Sequence, residues 1–173
     1  GETEEFFADN GFTWNRLSIM QAYMAIGGVP YYMSLFEKTD SPATGLDRLF
    51  FSGNAELKKE YRRLFASLFK NPQPYLEIIS LLAKHTKGLT REEISKKLNS
   101  SNNGKLGDML TDLVYCDFLR KYNIREKKIK ANSAIYQLVD FYTIFYNTFA
   151  SKNIVEEFFW TRNVNTPEIT AWY

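Results

Sequence analysis

The sequence predicts a mainly α-helical protein whose second half also contains a β-hairpin, and three observations support this fold class. Apolar residues recur at helical spacing through much of the 173-residue chain, as they do on the buried face of amphipathic helices. Two prolines, Pro72 and Pro74, interrupt this pattern and separate two modules. Runs with strand character occur at 118–124 and 134–138, which predicts the hairpin.

The first module is predicted to contain a helix over 14–26 that is apolar over much of its circumference. Gly27 and Gly28 end this helix, and Pro30 suits the first turn of the next one. We call residues 27–31 the elbow; it is either a tight interhelical turn or a turn that contacts a ligand. A loop is expected over 40–45, followed by a helix over 55–69 with an apolar stripe opposite a basic, solvated face.

The second module is predicted to contain three short helices and then the hairpin. Thr90 and Glu93 form a capping box that starts the second helix. A turn over 102–104 precedes the third helix, near 105–115. A helix, a helix-turn-helix and a hairpin in this order predict a winged helix. The following segment, 140–150, reads as a helix too aromatic to stand alone in water.

Residues for catalysis or metal binding are not found in any recognisable pattern. The phosphate-binding pattern GxxxxGK[ST] does not occur. The carboxylates are scattered and His85 is the one histidine, so no Ser/His/Asp constellation can be proposed. His85 has no Cys or second His at ligand spacing, which makes zinc binding improbable. Cys116 cannot form an internal disulfide and is expected to be a buried small side chain. Asp117, which ends an apolar run, is interpreted as structural and not as a magnesium ligand.

Composition predicts a globular, cytoplasmic protein with a missing neighbour. Aromatic residues make up 16% of the chain, enough to leave some aromatic surface for a partner. No apolar run approaches the roughly 20 residues that span a bilayer, and the acidic start lacks the features of a signal peptide. A start at Gly1 and an aromatic end lead us to expect a piece of a longer protein.

Four short motifs occur in an order that is more specific than any one of them. They are Gly27-Gly-Val-Pro30 with Tyr31-Tyr32, Leu46-Asp-Arg-Leu-Phe-Phe51, Glu60-Tyr61 with Leu64–Phe69, and Leu138-Val-Asp-Phe-Tyr-Thr-Ile-Phe-Tyr146. On these motifs the chain, from about residue 12 to 149, resembles the C-terminal half of an archaeal and Bacteroides-type P-loop ATPase of the AAA+/STAND group. In that family a helical lid follows the nucleotide-binding core and a winged helix follows the lid.

The resemblance implies a lid subdomain over 1–71, a winged helix over 72–138, and an aromatic helix and connector over 139–173. It implies that Gly27, Gly28, Pro30 and Tyr31 contact ATP in the intact protein, with Mg²⁺ at the core. The implied partners are an upstream P-loop core and a C-terminal nuclease-like domain, without a membrane. The chain itself, which lacks both nucleotide-binding core motifs, is expected to bind no cofactor and to be inactive, whereas the intact parent would be an ATPase. Arg16, Arg48, Arg62 and Arg63 all remain candidates for a sensor arginine.

The alternative is a stand-alone winged-helix regulator that binds DNA. Residues 84–132 carry twelve Lys or Arg against six Asp or Glu, and such a basic surface fits phosphate contacts. Asp108 and Asp112 on the third helix oppose base readout in a major groove. DNA contact is therefore expected mainly through the hairpin. The candidate residues are Lys105, Arg125, Lys127, Lys128 and Lys130.

Overall fold

The computed structural model of the chain describes residues 1–100, 104–123, 134–152 and 156–173. Within these ranges the protein is mainly helical and contains a small three-stranded antiparallel sheet. The predicted fold class is confirmed at this coarse level. In the same ranges, none of the helices has both the length and the apolar character that crossing a membrane requires.

Contacts group the chain into two compact units, Gly1–Arg63 with Phe149–Tyr173, and Leu64–Thr148. The three functional domains proposed from the sequence, 1–71, 72–138 and 139–173, stay a prediction. The helices of the chain before residue 70 are α1 (Glu2–Asp9), α2 (Arg16–Ile26), α3 (Pro30–Ser34), α4 (Pro42–Leu46) with a π-helical continuation (Asp47–Phe51), and α5 (Glu56–Leu68).

The later elements are α6 (Gln73–Ala83), β1 (Leu89–Thr90), α7 (Arg91–Lys97), α8 (Gly104–Tyr115), β2 (Leu119–Asn123), β3 (Ala134–Leu138), α9 (Phe141–Phe145) with a π-helical continuation (Tyr146–Ala150), α10 (Phe159–Asn163) and α11 (Pro167–Thr170). The predicted third helix and second strand thus match α8 and β3 closely. The helix predicted over 140–150 is observed as α9 and its π-helical continuation.

The first unit is organised around α2 and α4. The expected loop over 40–45 is wrong in part, because α4 begins at Pro42. Ser41 caps this helix: its hydroxyl accepts from the Thr44 N–H at 3.2 Å, and its own N–H donates to Thr44 Oγ1 at 2.9 Å. Such reciprocal capping satisfies amide groups that a short helix would otherwise leave exposed. The core includes the fully buried side chains Phe7, Ile26, Leu46, Phe50 and Trp160.

Asp47 links α10 to the N-terminal part of the first unit. Its buried carboxylate accepts hydrogen bonds from the Trp160 N–H, and from the N–H and hydroxyl of Thr161 at 3.0 and 2.6 Å. A carboxylate at the first turn of α10 satisfies amide groups that have no partner within the helix. This contact joins residues more than a hundred positions apart in the sequence.

In the second unit, α6, α7 and α8 pack around the sheet. The strand order is β1-β3-β2, with Leu89 opposite Tyr136 and Leu119 opposite Leu138. Gly88 precedes β1 with φ at 77°, and a Cβ there would lie 2.6 Å from the Tyr136 carbonyl oxygen. Only glycine allows this close approach of β1 to β3. The two longer strands were predicted from the sequence, and the two-residue strand β1 was not.

The predicted capping box of α7 is confirmed. The Glu93 N–H donates to Thr90 Oγ1 at 3.3 Å, and Glu93 Oε2 accepts from the Thr90 N–H at 2.8 Å. These bonds fix the junction between β1 and α7. The core of this unit contains the buried side chains Phe65, Ile78, Leu110, Leu113 and Phe145.

Candidate functional site

The elbow is a sharp turn between α2 and α3. The Gly27 N–H donates to the Tyr23 carbonyl at 2.7 Å and closes the last turn of α2. Gly27 has φ at 67°, a left-handed conformation that strains residues with a Cβ. Val29 then takes an extended conformation, and Pro30 occupies the first turn of α3, where its missing N–H costs no hydrogen bond. The sequence therefore dictates the path of the backbone here.

The elbow turns one side inward and another to solvent. Tyr32 and Met33 are buried, at 5% and 3% exposure, and anchor α3. Val29 and Tyr31 are exposed to 40% and 50%. Pro30 and Gly28 are exposed as well. Of the four residues assigned to the elbow site, the structure thus exposes Gly28, Pro30 and Tyr31 together and buries Gly27.

Apolar side chains continue the exposed surface along α2. Leu17 and Met20, which were expected in an apolar central helix, are 57% and 42% exposed. Tyr23 lies beside the elbow, because a Cβ added at Gly28 would contact its ring carbon Cε2 at 3.3 Å. These residues line one side of a cleft of about 720 Å³. We call this the α2 cleft; its lining also includes Glu4 and Arg16.

The arginines that could act near the elbow differ in their partners. Arg48 is held by the Asp40 carboxylate and donates to the Leu35 carbonyl at 3.0 Å, so it stabilises the turn before α4. Arg63 pairs with Glu56 at 2.8 Å. Arg16 pairs with Glu4 at 2.9 Å, yet its side chain is 90% exposed and lines the α2 cleft.

Of the five candidate nucleic-acid-binding residues, the structure describes one. Lys105 lies exposed in the first turn of α8. The four hairpin residues, Arg125, Lys127, Lys128 and Lys130, lie outside the described residues. Asp108 and Asp112 are exposed on α8, as expected.

A second cleft, which sequence reasoning missed, lies beside α8 within the second unit and has a volume of about 510 Å³. Phe69 and Tyr75 stack in it with ring centroids 3.8 Å apart. The Tyr75 hydroxyl donates to Asp112 Oδ2 at 2.7 Å. Burial and this hydrogen bond raise the pKa of Tyr75 to about 12. We call this the α8 cleft; Leu68, Met109, Tyr115 and Cys116 also line it.

Metal-binding chemistry is not indicated by the described part of the chain, in which no three His, Cys, Asp or Glu residues group as ligands. His85 lies just after α6, and its Nδ1 is 2.8 Å from the Leu81 carbonyl oxygen, a helix-end contact. Cys116 is partly buried rather than fully buried. Burial, with Asp112 and Asp117 nearby, raises the pKa of its thiol, which makes it a poor nucleophile.

The comparisons with known proteins give no relative for this chain: no protein family, no curated protein and no solved structure matches it.

Proposed function

We propose that the chain is the regulatory part of a larger ATP-binding ATPase of the AAA+/STAND type, in which it couples nucleotide state to a winged-helix module. The observation that carries this proposal is the elbow. Its glycines and Pro30 have the order of the family motif, and its exposed side presents Pro30 and Tyr31.

The exposed elbow fits a nucleotide base better than it fits phosphates. Pro30 is rigid, Tyr31 offers a ring face, and Gly28 leaves the backbone accessible, so a flat base can bind with little ordering of side chains. The adjoining α2 cleft is within the roughly 300–1,000 Å³ of small-molecule sites. Arg16 lines this cleft, and its guanidinium already pairs with Glu4. Phosphate binding and hydrolysis would therefore come from an upstream P-loop core with Mg²⁺.

The order of elements in the second unit supports a winged helix as the coupled module. Helices α6, α7 and α8 precede the paired strands β2 and β3, and β1 adds to the sheet beside β3. In the proposed assignment, the residues before this module form the lid, and a nuclease-like domain follows the aromatic C-terminal segment. On this proposal the intact protein is cytoplasmic and is the ATPase.

In the alternative, the chain is a stand-alone regulator that binds DNA through a different surface. Arg120 and Lys121 are exposed on the edge strand β2, and Lys105 is exposed on α8. These cations suit phosphate contacts. Asp108 and Asp112 occupy the same helix as Lys105 and would repel a phosphate backbone. Because these carboxylates oppose phosphate contacts, the coupling role is favoured over DNA binding.

The test of the proposed function is a titration of the isotope-labelled chain with millimolar ATP, followed through backbone amide chemical shifts. We expect shifts at Gly27, Gly28 and Tyr31. Adenosine should give the same shifts, because the base and ribose make the contact, whereas ribose 5-triphosphate should not. Tyr31→Ala should weaken the response, and Tyr122→Ala should leave it unchanged, since Tyr122 is a comparably exposed tyrosine at 42%.

The titration also distinguishes the two functions. Identical shifts with ribose 5-triphosphate, or shifts confined to residues away from the elbow, would refute a base contact. A DNA duplex that shifts the β2 amides at physiological salt, with no response of the elbow to adenosine, would instead support the DNA-binding alternative.

A further inference from the structure

One side of α8 carries a row of four exposed residues: a lysine, two aspartates and a tyrosine. Lys105, Asp108, Asp112 and Tyr115 follow one another at spacings of three or four residues, which places their side chains on the same side of a helix. Tyr115 is 89% exposed, the most exposed large hydrophobic residue among those described. We call this row the α8 stripe. A cation, two carboxylates and an aromatic ring thus follow each other from the start of α8 to its end.

The α8 cleft gives the stripe an apolar wall. Leu68, at the end of α5, is 44% exposed in this cleft. The stacked rings of Phe69 and Tyr75 and the side chain of Met109 also line it. An apolar cleft bordered by charged residues is typical of a surface that binds another protein segment.

The charges at the far end of the stripe favour a cation in the bound segment. Asp112 accepts the Tyr75 hydroxyl, and a carboxylate has further lone pairs with which to accept from a second donor. The C-terminal end of α8 adds partial negative charge. Burial raises the pKa values of Tyr75 and Cys116, and the nearby charge of Asp112 adds to both shifts. The Tyr115 ring, three residues away, can contact the same cation through its face.

We propose that the α8 cleft binds a helical segment of a partner protein that carries an arginine or lysine beside an apolar side chain. The cation lies between Asp112 and the Tyr115 ring, and the apolar side chain contacts Leu68 and Met109. Lys105 at the opposite end favours an acidic residue in the segment, so the order of charges fixes its direction. This inference does not depend on the nucleotide contact proposed for the elbow.

A protein segment satisfies this surface better than a nucleic acid does. Phosphates would gain from Lys105 and Lys70 but would be repelled by Asp108 and Asp112. A segment with one acidic end and one basic end satisfies both signs of charge. The apolar wall formed by Leu68 and Met109 has no counterpart on a phosphate backbone.

The test uses a synthetic helical peptide of roughly 15 residues, long enough for marginal helicity. One peptide carries Glu near one end, leucines in the middle and Arg toward the other end; a second carries Glu in place of the Arg. Binding is measured by amide chemical shifts of the labelled chain and by fluorescence anisotropy at low and physiological salt. We expect the first peptide to shift the amides of Met109, Asp112 and Tyr115, and its Kd to increase with salt.

Variants decide which contacts carry the binding. Tyr115→Ala should raise the Kd about fivefold to tenfold, as loss of a cation–π contact would, and Asp112→Asn should reduce the salt dependence. Tyr122→Ala and Asp9→Asn, which alter an exposed tyrosine and an exposed aspartate outside the cleft, should change nothing. Circular dichroism should show that Tyr115→Ala remains folded, because the side chain is exposed.

Four results would overturn the proposal: no binding even at low salt, equal affinity for the Arg peptide and the peptide with Glu in its place, an unchanged Kd for Tyr115→Ala, or shifts that map outside the α8 cleft. A DNA duplex that shifts the same three amides would also overturn it, in favour of a nucleic-acid surface.

Discussion

Replacement of Asp47 by alanine should release α10 from the N-terminal part of the first unit and destabilise that unit. The substitution removes the acceptor of the Trp160 N–H and of both donors of Thr161. Asp47 is only 6% exposed, so water cannot easily replace these bonds. A hydrogen bond to a charged group contributes about 1.5–3 kcal/mol, and the three bonds share one carboxylate, so we expect a loss of roughly 3–5 kcal/mol in the free energy of unfolding.

Urea denaturation and native-state hydrogen exchange measure this loss. The amides of Trp160 and Thr161 should lose protection first, because they are the direct donors. Asp47→Asn keeps one carbonyl oxygen but places an NH₂ group against donors, so it should cost roughly half as much as the alanine variant. Asp9→Ala, at an exposed position, should change the free energy of unfolding by about 0.5 kcal/mol or less. A loss below about 1 kcal/mol for Asp47→Ala would refute the reasoning.

Three further predictions concern ligands and pH. The chain alone should bind ATP only weakly, through the proposed base contact at the elbow, because the phosphate-binding loop is not in this sequence; calorimetry that gives micromolar, magnesium-dependent binding would contradict this. If the hairpin contacts DNA, the double substitution of Lys127 and Lys128 by Glu should weaken band shifts equally for unrelated sequences and flatten their salt dependence, and a base-specific loss would contradict a phosphate role. Hydrogen bonds from the Thr90 backbone and hydroxyl lower the pKa of the Glu93 carboxyl in the folded protein. The ionised Glu93 side chain therefore stabilises the fold fully above the pKa that this carboxyl has in the unfolded chain, and the stabilisation disappears as pH falls through its lower pKa in the folded protein. Thermal unfolding of Glu93→Gln, which keeps the capping box without a charge, should therefore differ from wild type at neutral pH and converge with it in acid, and a constant difference at all pH values would contradict the linkage.

Local signals in the sequence predicted much of the second unit. The Thr90 capping box depends on residues three positions apart, and it fixes the start of α7 as expected. The alternation of buried residues in β3, at Ala134, Tyr136 and Leu138, follows from its apolar pattern. These features were predictable because neighbouring residues determine them.

Features that depend on distant residues could not be predicted in this way. The Asp47 contact with α10 and the hydrogen bond from Tyr75 to Asp112 join segments whose proximity only the folded chain establishes. Leu17 and Met20 were interpreted, from their helical spacing, as part of a helix that is apolar over much of its circumference, yet both side chains are exposed on α2. Hydropathy alone does not distinguish a core position from a surface that awaits a partner.

The candidate site was predictable as a turn but not as a surface. Adjacent glycines followed by Pro30 indicated a break between helices, and the structure has that break, with Gly27 in a left-handed conformation. The sequence did not reveal that Tyr31 is exposed while Tyr32 is buried, because both are tyrosines in the same short helix. The α2 cleft beside the elbow could not be predicted from the sequence pattern either, because it depends on how α1 packs on α2.

The most direct test of the proposed nucleotide contact is Pro30→Ala in the longer ATPase that the proposed function implies, measured by ATP affinity and by thermal unfolding. Loss of a first-turn proline should change stability by about 1 kcal/mol or less. Pro167→Ala, which alters another exposed proline at the start of a helix, is the matched control. We predict that Pro30→Ala raises the Kd for ATP or uncouples hydrolysis from conformational change, whereas Pro167→Ala does neither. A marked fall in Tm for Pro30→Ala with normal ATP binding and hydrolysis would show that the elbow is structural and would contradict the proposed function.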